Sequence, residues 1–425
     1  MKEEFLHYIF RNRLWSDDDL FLTDGRKLEI IDVGLQNHDA GPDFFNSKIK
    51  IENTIWAGNV ELHINSSDWY KHKHQNDLSY SNVILHVVYN HDKPVFISGE
   101  NEIPVWEIKF PHVLFNKYSE LKNNEKQIPC EEYFDMVDKL KLGFWLERMA
   151  VERLEYKSEV IDKYLTISRN DWEFAFYVSL CRSFGSGLNS DPFEQLAIKI
   201  DLKLIRKYSD NLVKLESLIF GQSGLLDIAI KDDYVNLLQR EYSFLRKLHN
   251  LTPVPAGIWK FSKMRPANLP HIKLAQLTSV LSGFHGLFTS VISNVNYKEV
   301  KNLLNVSVSE YWKSHYVFGK PVEKTLSGFG QSAIDTFIIN TIAPFVYRYY
   351  KDHQELESDV KHYTILASIK PENNRVTRVW RNVGLEADDA FASQALIHLK
   401  TNYCDLRKCL RCGIGIDIMQ QIGDL

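Results

Sequence analysis

The sequence predicts an α/β domain with a mixed sheet and flanking helices, followed by a large all-α region. The first third opens on a segment with helix-period apolar residues, Glu3 to Trp15. Segments rich in β-branched and aromatic residues then follow and predict strands. They are Leu28 to Val33, Phe45 to Ile51, Ile55 to Ile64 and Val83 to Tyr89, with short additions at Pro94 to Phe96 and Pro104 to Ile108. The predicted order is therefore a helix, three strands, a connection and a fourth strand.

The character of the chain changes near Asn123. Helix-period patterns fill most of the chain beyond this point, and strand patterns are nearly absent. A chain of 425 residues is also too long for one ordinary core. The polar run NNEKQIPCEE marks the boundary. We therefore expect an α/β domain over residues 1–125 and a helical domain with a C-terminal cysteine cluster over residues 126–425.

Composition places the chain among globular proteins. Hydrophobic residues make up 44% and charged residues 25%, and the formal net charge is -4. A nucleic-acid partner would therefore need a local basic patch rather than a global basic field. The apolar run Ile338 to Val346 is shorter than the roughly 20 residues of a membrane span. The N-terminal segment lacks the pattern of a signal peptide, and five cysteines do not form a secreted framework, so we expect a cytoplasmic protein without a membrane partner.

Two carboxylates and a histidine are predicted to share one surface of the sheet. Side chains alternate along a strand, so Glu61 and His63 face one way while Leu62 faces the core. A hairpin through Glu52 would bring Asp43 beside Glu61. Neighbouring carboxylates repel unless a cation lies between them, and oxygen ligands suit Mg²⁺ or Mn²⁺. Asp43 and Glu61 are therefore predicted metal ligands, and His63 could orient or deprotonate an attacking water.

This pattern resembles the PD-(D/E)xK nuclease superfamily, the restriction-endonuclease-like fold, over roughly Met1 to Asp92. The resemblance implies that Pro42-Asp43 carries the first metal carboxylate and that Glu61 carries the second. It implies that Glu4, on the first helix, takes the role of an additional helix acid. The chain departs from the superfamily at one catalytic position, because His63 stands where the motif has lysine.

The same residues also fit purely structural roles. Asp43 follows Gly41-Pro42, a common setting for a turn or cap residue, and Glu61 and His63 fit the polar face of a half-exposed strand. His72, His74 and Asp77 fit a transition-metal set, but a solvated loop at the rim of the cleft is the favoured interpretation, with phosphate contact as the second. His86 interrupts an apolar strand and is expected to be a hydrogen-bonded core residue.

A second set of metal-binding residue types lies near the C-terminus. Cys404, Cys409 and Cys412 are spaced as C-x4-C-x2-C, and three such thiolates suit Zn²⁺ or an iron–sulfur cluster if a fourth ligand is present. The candidates for that ligand are His398, Cys130 and Cys181. The alternative is that these cysteines are buried and inert.

The whole chain also resembles a bacterial family known only as a domain of unknown function. The segments that carry this likeness are NHDAGPDFFNSKI, WAGNVELHINSSDWYKHKHQND, SNVILHVVYNHD, RPANLPHIKLAQL and YCDLRKCLRCGIG.

The leading functional hypothesis is a metal-dependent phosphodiesterase that acts on DNA or RNA. The first alternative is a non-catalytic nucleic-acid-binding or scaffold protein on a degenerate nuclease fold. The second is a metal hydrolase that uses His72, His74 and Asp77.

Overall fold

The computed structural model describes residues 1–16, 20–37, 39–97, 101–293, 296–323, 330–354 and 358–423. The chain divides into two compact units. The first contains residues 1–145 together with residues 399–425, and the second contains residues 146–398. The first unit thus extends to residue 145 and also includes the last segment of the chain, whereas the division predicted from the sequence lies at residue 125.

The first unit is built on a mixed sheet. Its strands in chain order are β1 (Leu20–Phe21), β2 (Lys27–Asp32), β3 (Leu35–Gln36), β4 (Phe44–Ile51), β5 (Thr54–Asn65) and β6 (Val83–Asn90), then a separate ribbon of β7 (Phe96–Ile97) and β8 (Asn101–Glu102), then β9 (Val105–Glu107). The spatial order in the sheet is β1-β2-β4-β5-β6-β9, and β3 pairs with β4. Strands β2, β4 and β5 form an antiparallel meander, whereas β6 is parallel to both β5 and β9. The predicted mixed sheet with flanking helices is confirmed.

Helices account for most of the remaining described residues. They are α1 (Glu3–Arg11), α2 (Asp68–Lys71), α3 (His112–Asn123), α4 (Lys139–Ser168), α5 (Trp172–Phe184), α6 (Ser190–Lys199), α7 (Leu202–Tyr208), α8 (Leu212–Gln222), α9 (Asp233–His249), α10 (Pro270–Ser282), α11 (Leu287–Ser293), α12 (Tyr297–Leu304), α13 (Glu310–Lys313), α14 (Gln331–Phe337), α15 (Ala343–His353), α16 (Ser358–Ala367), α17 (Arg375–Asn382), α18 (Ala390–Leu399) and α19 (Gly413–Gly423). A short ribbon, β10 (His315–Val317) with β11 (Lys320–Pro321), lies within the second unit. The helical character predicted beyond residue 123 is confirmed. None of the helices in the described ranges is long and apolar enough to cross a lipid bilayer.

Two local features set the position of the first helix and the central hairpin. Helix α1 buries Phe5, Leu6, Ile9 and Phe10 along one stripe and packs against β5. Strands β4 and β5 are joined by a two-residue turn in which Glu52 adopts a left-handed conformation, with φ of 53°. Because this turn pairs Ile51 with Thr54, it fixes which residues of β5 lie beside the start of β4.

The connection between β5 and β6 is held down by aromatic packing. Trp69 of α2 is fully buried and forms a small core with Tyr80, Val83, Val95 and Ile103. This core fixes a segment that is otherwise polar in sequence. The connection therefore lies against the sheet next to the polar face of β5.

Candidate metal centre

Strand β5 presents Glu61 and His63 on one face, as the alternation of its side chains predicts. Val60 and Leu62 point into the core and are almost fully buried. The opposite face is also covered, since Glu61 is only 4% exposed and His63 only 1% exposed. These two polar side chains are therefore enclosed, and the expectation of a half-exposed strand face does not describe them.

Asp43 lies directly beside Glu61. The backbone N–H of Asp43 donates to Oε2 of Glu61 at 3.1 Å, and the backbone N–H of Leu62 donates to Oδ2 of Asp43 at 2.9 Å. These reciprocal bonds lock the residue before β4 to the middle of β5. The hairpin thus brings Asp43 and Glu61 together, and the Asp43 side chain does more than cap a turn.

The histidines of the β5–β6 connection join the same group. Helix α2 ends at Lys71 with His72 as its C-cap, and the left-handed backbone of Lys73, with φ of 64°, turns the chain so that His74 also faces the sheet. Nδ1 of His72 lies 3.0 Å from Nε2 of His63. Oε1 of Glu61 lies 3.3 Å from Nε2 of His74 and 3.6 Å from Nε2 of His63. The structure thus differs from the favoured expectation of a solvated rim loop, because the buried Trp69 anchors the connection.

His63, His72 and His74 offer a compact set of ligand atoms. One nitrogen from each lies within 4.8 Å of those of the other two. Nε2 of His74 is buried and has no hydrogen-bond partner among the described residues, although it lies close to Glu61. Four ligands that share a cation at about 2.1 Å lie roughly 3.0 to 3.4 Å apart. His63 and His72 meet that requirement at 3.0 Å, whereas Glu61 lies beside His63 and His74 at 3.6 and 3.3 Å but is not within 4.8 Å of all three imidazoles.

The predicted accessory residues do not all belong to this group. Asp77 is exposed, and its carboxylate accepts from the backbone N–H of Ser79 at 2.9 Å, which makes it a turn cap. Glu4 forms an ion pair with Lys122 at 3.3 Å. Neither residue is in the compact set.

Helix α1 instead contributes His7, which the sequence reasoning missed. Nε2 of His7 lies 3.2 Å from Oδ2 of Asp43. The only signal in the sequence was that His7 follows Glu3 at a spacing that places both on one helical face. Glu3 also feels the charges of His72 and Asp43, so this face of α1 borders the site.

His86 supports His63 from the neighbouring strand. Strands β5 and β6 pair Glu61 with His86, and Nε2 of His86 lies 2.8 Å from Nδ1 of His63. His86 is completely buried, in agreement with the expectation of a hydrogen-bonded core histidine. For Nε2 of His63 to bind a cation, the proton must sit on Nδ1, and His86 then acts as the acceptor.

Burial governs the protonation of the group. Burial and then the nearby charge of Asp43 raise the pKa of Glu61 to about 9. Burial and then the neighbouring imidazoles His86, His72 and His74 lower the pKa of His63 to about 2. The site therefore contains a carboxyl group whose negative charge is poorly tolerated and an imidazole that stays neutral. A bound cation would stabilise the negative charge of Glu61, and neutral imidazole is the form that binds metals.

The donor set indicates the class of metal. Imidazole suits Zn²⁺, Mn²⁺ and iron, whereas Mg²⁺ prefers oxygen ligands. Three imidazoles and one carboxylate therefore favour a transition metal. The structure brings three histidines close to the predicted carboxylates: His63, which the sequence placed there, and His72 and His74, which it gave as accessory candidates.

Comparison with known proteins gives one match. Residues 3–375 match the family described as "Protein of unknown function (DUF2851)". No curated protein and no solved structure matches the chain.

Proposed function

We propose that this chain, which belongs to the DUF2851 family, is a metal-dependent hydrolase that cleaves phosphodiester bonds in nucleic acid. One observation carries the proposal. Nitrogen atoms of His63, His72 and His74 all lie within 4.8 Å of one another, and Oε1 of Glu61 lies beside those of His63 and His74.

The residues divide into holding and positioning roles. Glu61, His63, His72 and His74 would hold the cation, and a bound divalent cation supplies polarisation of a phosphoryl oxygen and activation of water. Asp43 is held beside Glu61 by backbone hydrogen bonds. His72 is exposed whereas His63 is buried, so the group reaches solvent on the His72 side. A substrate would approach from that side.

The choice of a phosphodiester rests on the order of the elements. The chain forms a helix, an antiparallel three-stranded meander with Asp43 just before β4 and Glu61 on β5, and a parallel fourth strand. This order agrees with the pattern implied by the resemblance to the PD-(D/E)xK superfamily. Lys71 and Lys73, which flank His72 in the chain, are exposed; the ammonium of Lys71 pairs with Asp68, and that of Lys73 could contact a phosphate backbone. Both features support nucleic acid over other substrates of metal hydrolases.

The test begins with the complete chain, stripped of metal by a chelator. DNA and RNA, each in single- and double-stranded form, are incubated with added Mn²⁺, Zn²⁺ or Mg²⁺. We expect cleavage with a transition metal and none with the chelator. Glu61→Gln should abolish cleavage, because it removes the anionic ligand at nearly constant volume. Asp77→Asn is the matched control, because it alters an exposed carboxylate of the same connection that caps a turn.

Two outcomes would contradict the proposal. Cleavage by Glu61→Gln at the wild-type rate would remove Glu61 from the reaction. Salt-dependent nucleic-acid binding without cleavage under any metal would instead favour a non-catalytic binding protein.

A further inference from the structure

Four of the five cysteines belong to the sheet-containing unit. Cys130 follows α3, and Cys404, Cys409 and Cys412 lie in the segment that returns to this unit before α19. The fifth, Cys181, lies in α5 of the other unit. His398 also lies in that unit, where it pairs with Glu152 at 3.4 Å. Of the three candidates for a fourth ligand, only Cys130 shares a unit with the other three cysteines.

The four thiols belong to segments that pack together in one unit, and they are shielded from water. Cys130, Cys404 and Cys412 are buried, Cys409 is half-buried, and all four are free thiols. Burial raises the pKa of Cys404, and the nearby sulfurs of Cys412, Cys130 and Cys409 raise it further. Burial also raises the pKa of Cys130, with Cys412 and Cys409 as the next causes. Helix α3, which precedes Cys130, also packs against residues 409–411 and against α19, so the two cysteine-bearing segments lie in one region.

The backbone is folded to present these sulfurs inward. Arg407 adopts a left-handed conformation, and its guanidinium donates to the carbonyl of Cys404 at 2.8 Å and to that of Lys126 at 3.0 Å. It thereby joins the C-terminal loop to the segment just before Cys130. A side chain at Gly415 would meet the carbonyl oxygen of Cys409 at 2.2 Å, so the loop closes tightly on the start of α19.

Cys412 shows the hydrogen bonding of a prepared ligand. The backbone N–H groups of Gly415 and Ile414 donate to its sulfur and lower its pKa, although burial leaves the pKa at about 11. Such N–H donors stabilise a thiolate and tune the metal that it binds. Burial raises the pKa of the Cys409 thiol, and the positive charge of Arg407 beside it opposes that effect.

The separation of the sulfurs distinguishes between metals. A tetrahedral zinc site with Zn–S bonds of about 2.3 Å holds its four sulfurs roughly 3.8 Å apart. Across the described ranges, the three histidines of the metal centre form the sole group of ligand atoms that all lie within 4.8 Å of one another. No three of the four sulfurs are therefore as close together as zinc requires. An iron–sulfur cluster distributes its thiolates over several iron atoms and holds them farther apart.

We propose that Cys130, Cys404, Cys409 and Cys412 bind an iron–sulfur cluster that fixes the C-terminal segment to the sheet-containing unit. The C-x4-C-x2-C spacing of the last three is also one used by [2Fe–2S] proteins, in which a fourth cysteine lies elsewhere in the chain. Each thiol gives up its proton when it binds iron, and inorganic sulfide completes the cluster. The proposal is independent of the proposed hydrolase activity.

The experiment is elemental and spectroscopic. The full chain is purified without oxygen, and iron, acid-labile sulfide and zinc are measured per chain, together with the visible absorption of the cluster. We expect equal iron and sulfide, about two or four of each per chain. Cys130→Ser should lower the iron content at least several-fold. Cys181→Ser is the matched control and should retain it.

If Cys130→Ser fails to fold, the iron and sulfide contents of the wild-type protein still test the proposal. Wild-type protein with stoichiometric zinc and no sulfide would overturn the proposal, as would protein that contains neither metal after anaerobic purification. Retention of full iron and sulfide by a folded Cys130→Ser variant would overturn the assignment of the fourth ligand.

Discussion

Replacement of His86 tests how the metal centre is positioned without touching a proposed ligand. His86 is completely buried, and Nε2 lies 2.8 Å from Nδ1 of His63. His86→Leu keeps the volume of the side chain approximately but removes the acceptor. His63 then loses the group that fixes its tautomer and ring orientation.

The magnitude follows from that single hydrogen bond. Loss of the partner that orients a metal-bound imidazole weakens metal binding by roughly 10- to 100-fold. This corresponds to about 1.4 to 2.7 kcal/mol of binding free energy. The buried N–H of His63 also loses its acceptor, which costs a further 1–3 kcal/mol, approximately, of folding stability in the metal-free protein.

The assay is isothermal titration of Zn²⁺ and Mn²⁺ into the chelator-treated full chain. His112→Ala serves as the control, because His112 is exposed at the start of α3. The control should bind with wild-type affinity. Wild-type affinity in a folded His86→Leu variant would refute the positioning role of His86.

Two further predictions concern the stability of the helical unit, measured by chemical denaturation. Glu194 accepts hydrogen bonds from Lys163 and Arg182, both at 2.5 Å, so Glu194→Gln should lower the free energy of unfolding at pH 7 by about 2–3 kcal/mol. Burial opposes ionisation of Glu194, but these partners lower its pKa below the ordinary value. The difference in unfolding free energy between the wild type and the variant should therefore fade as pH falls below about 4.5 and through the folded pKa. A difference that does not change with pH would contradict the ion pair as its cause. A side chain at Gly221 would meet the Tyr242 ring at 2.1 Å, so Gly221→Ala should cost about 1–3 kcal/mol, and wild-type stability would contradict this close contact.

The sequence predicted the part of the site that depends on local periodicity. The alternation of side chains along a strand placed Glu61 and His63 on one face, and the hairpin brought Asp43 beside them. Both features depend on short-range rules of strand geometry and turn length. For the same reason the strand limits predicted from the sequence lie within a few residues of those observed for β4 and β5.

The rest of the site depends on contacts between distant residues. His72 and His74 face the sheet only because Trp69 is buried and Lys73 adopts a left-handed turn, and neither condition can be derived from local propensity. His7 lies beside Asp43 only because α1 packs on β5, and helix periodicity does not reveal the partner of a helix face.

The fourth cysteine and one helix boundary also could not be predicted from local sequence patterns. The sequence left three candidates for the fourth ligand, because Cys130 and Cys404 are separated by the whole second unit. Apolar residues recur at helical spacing from Pro192 to Tyr208 and predict one helix, whereas the structure contains two, α6 and α7. Asp201 caps the second by accepting from the backbone N–H of Lys203. A continuous apolar stripe hid this break.

The most direct test of the central claim is the position of a bound metal in crystals grown with Zn²⁺ or Mn²⁺ and located by anomalous scattering. We expect one ion about 2.0 to 2.2 Å from nitrogen atoms of His63, His72 and His74 and from Oε1 of Glu61. An ion held only by Asp43 and Glu61, with the three imidazoles uncoordinated, would contradict it. The absence of any ion from this group at saturating metal would contradict it as well.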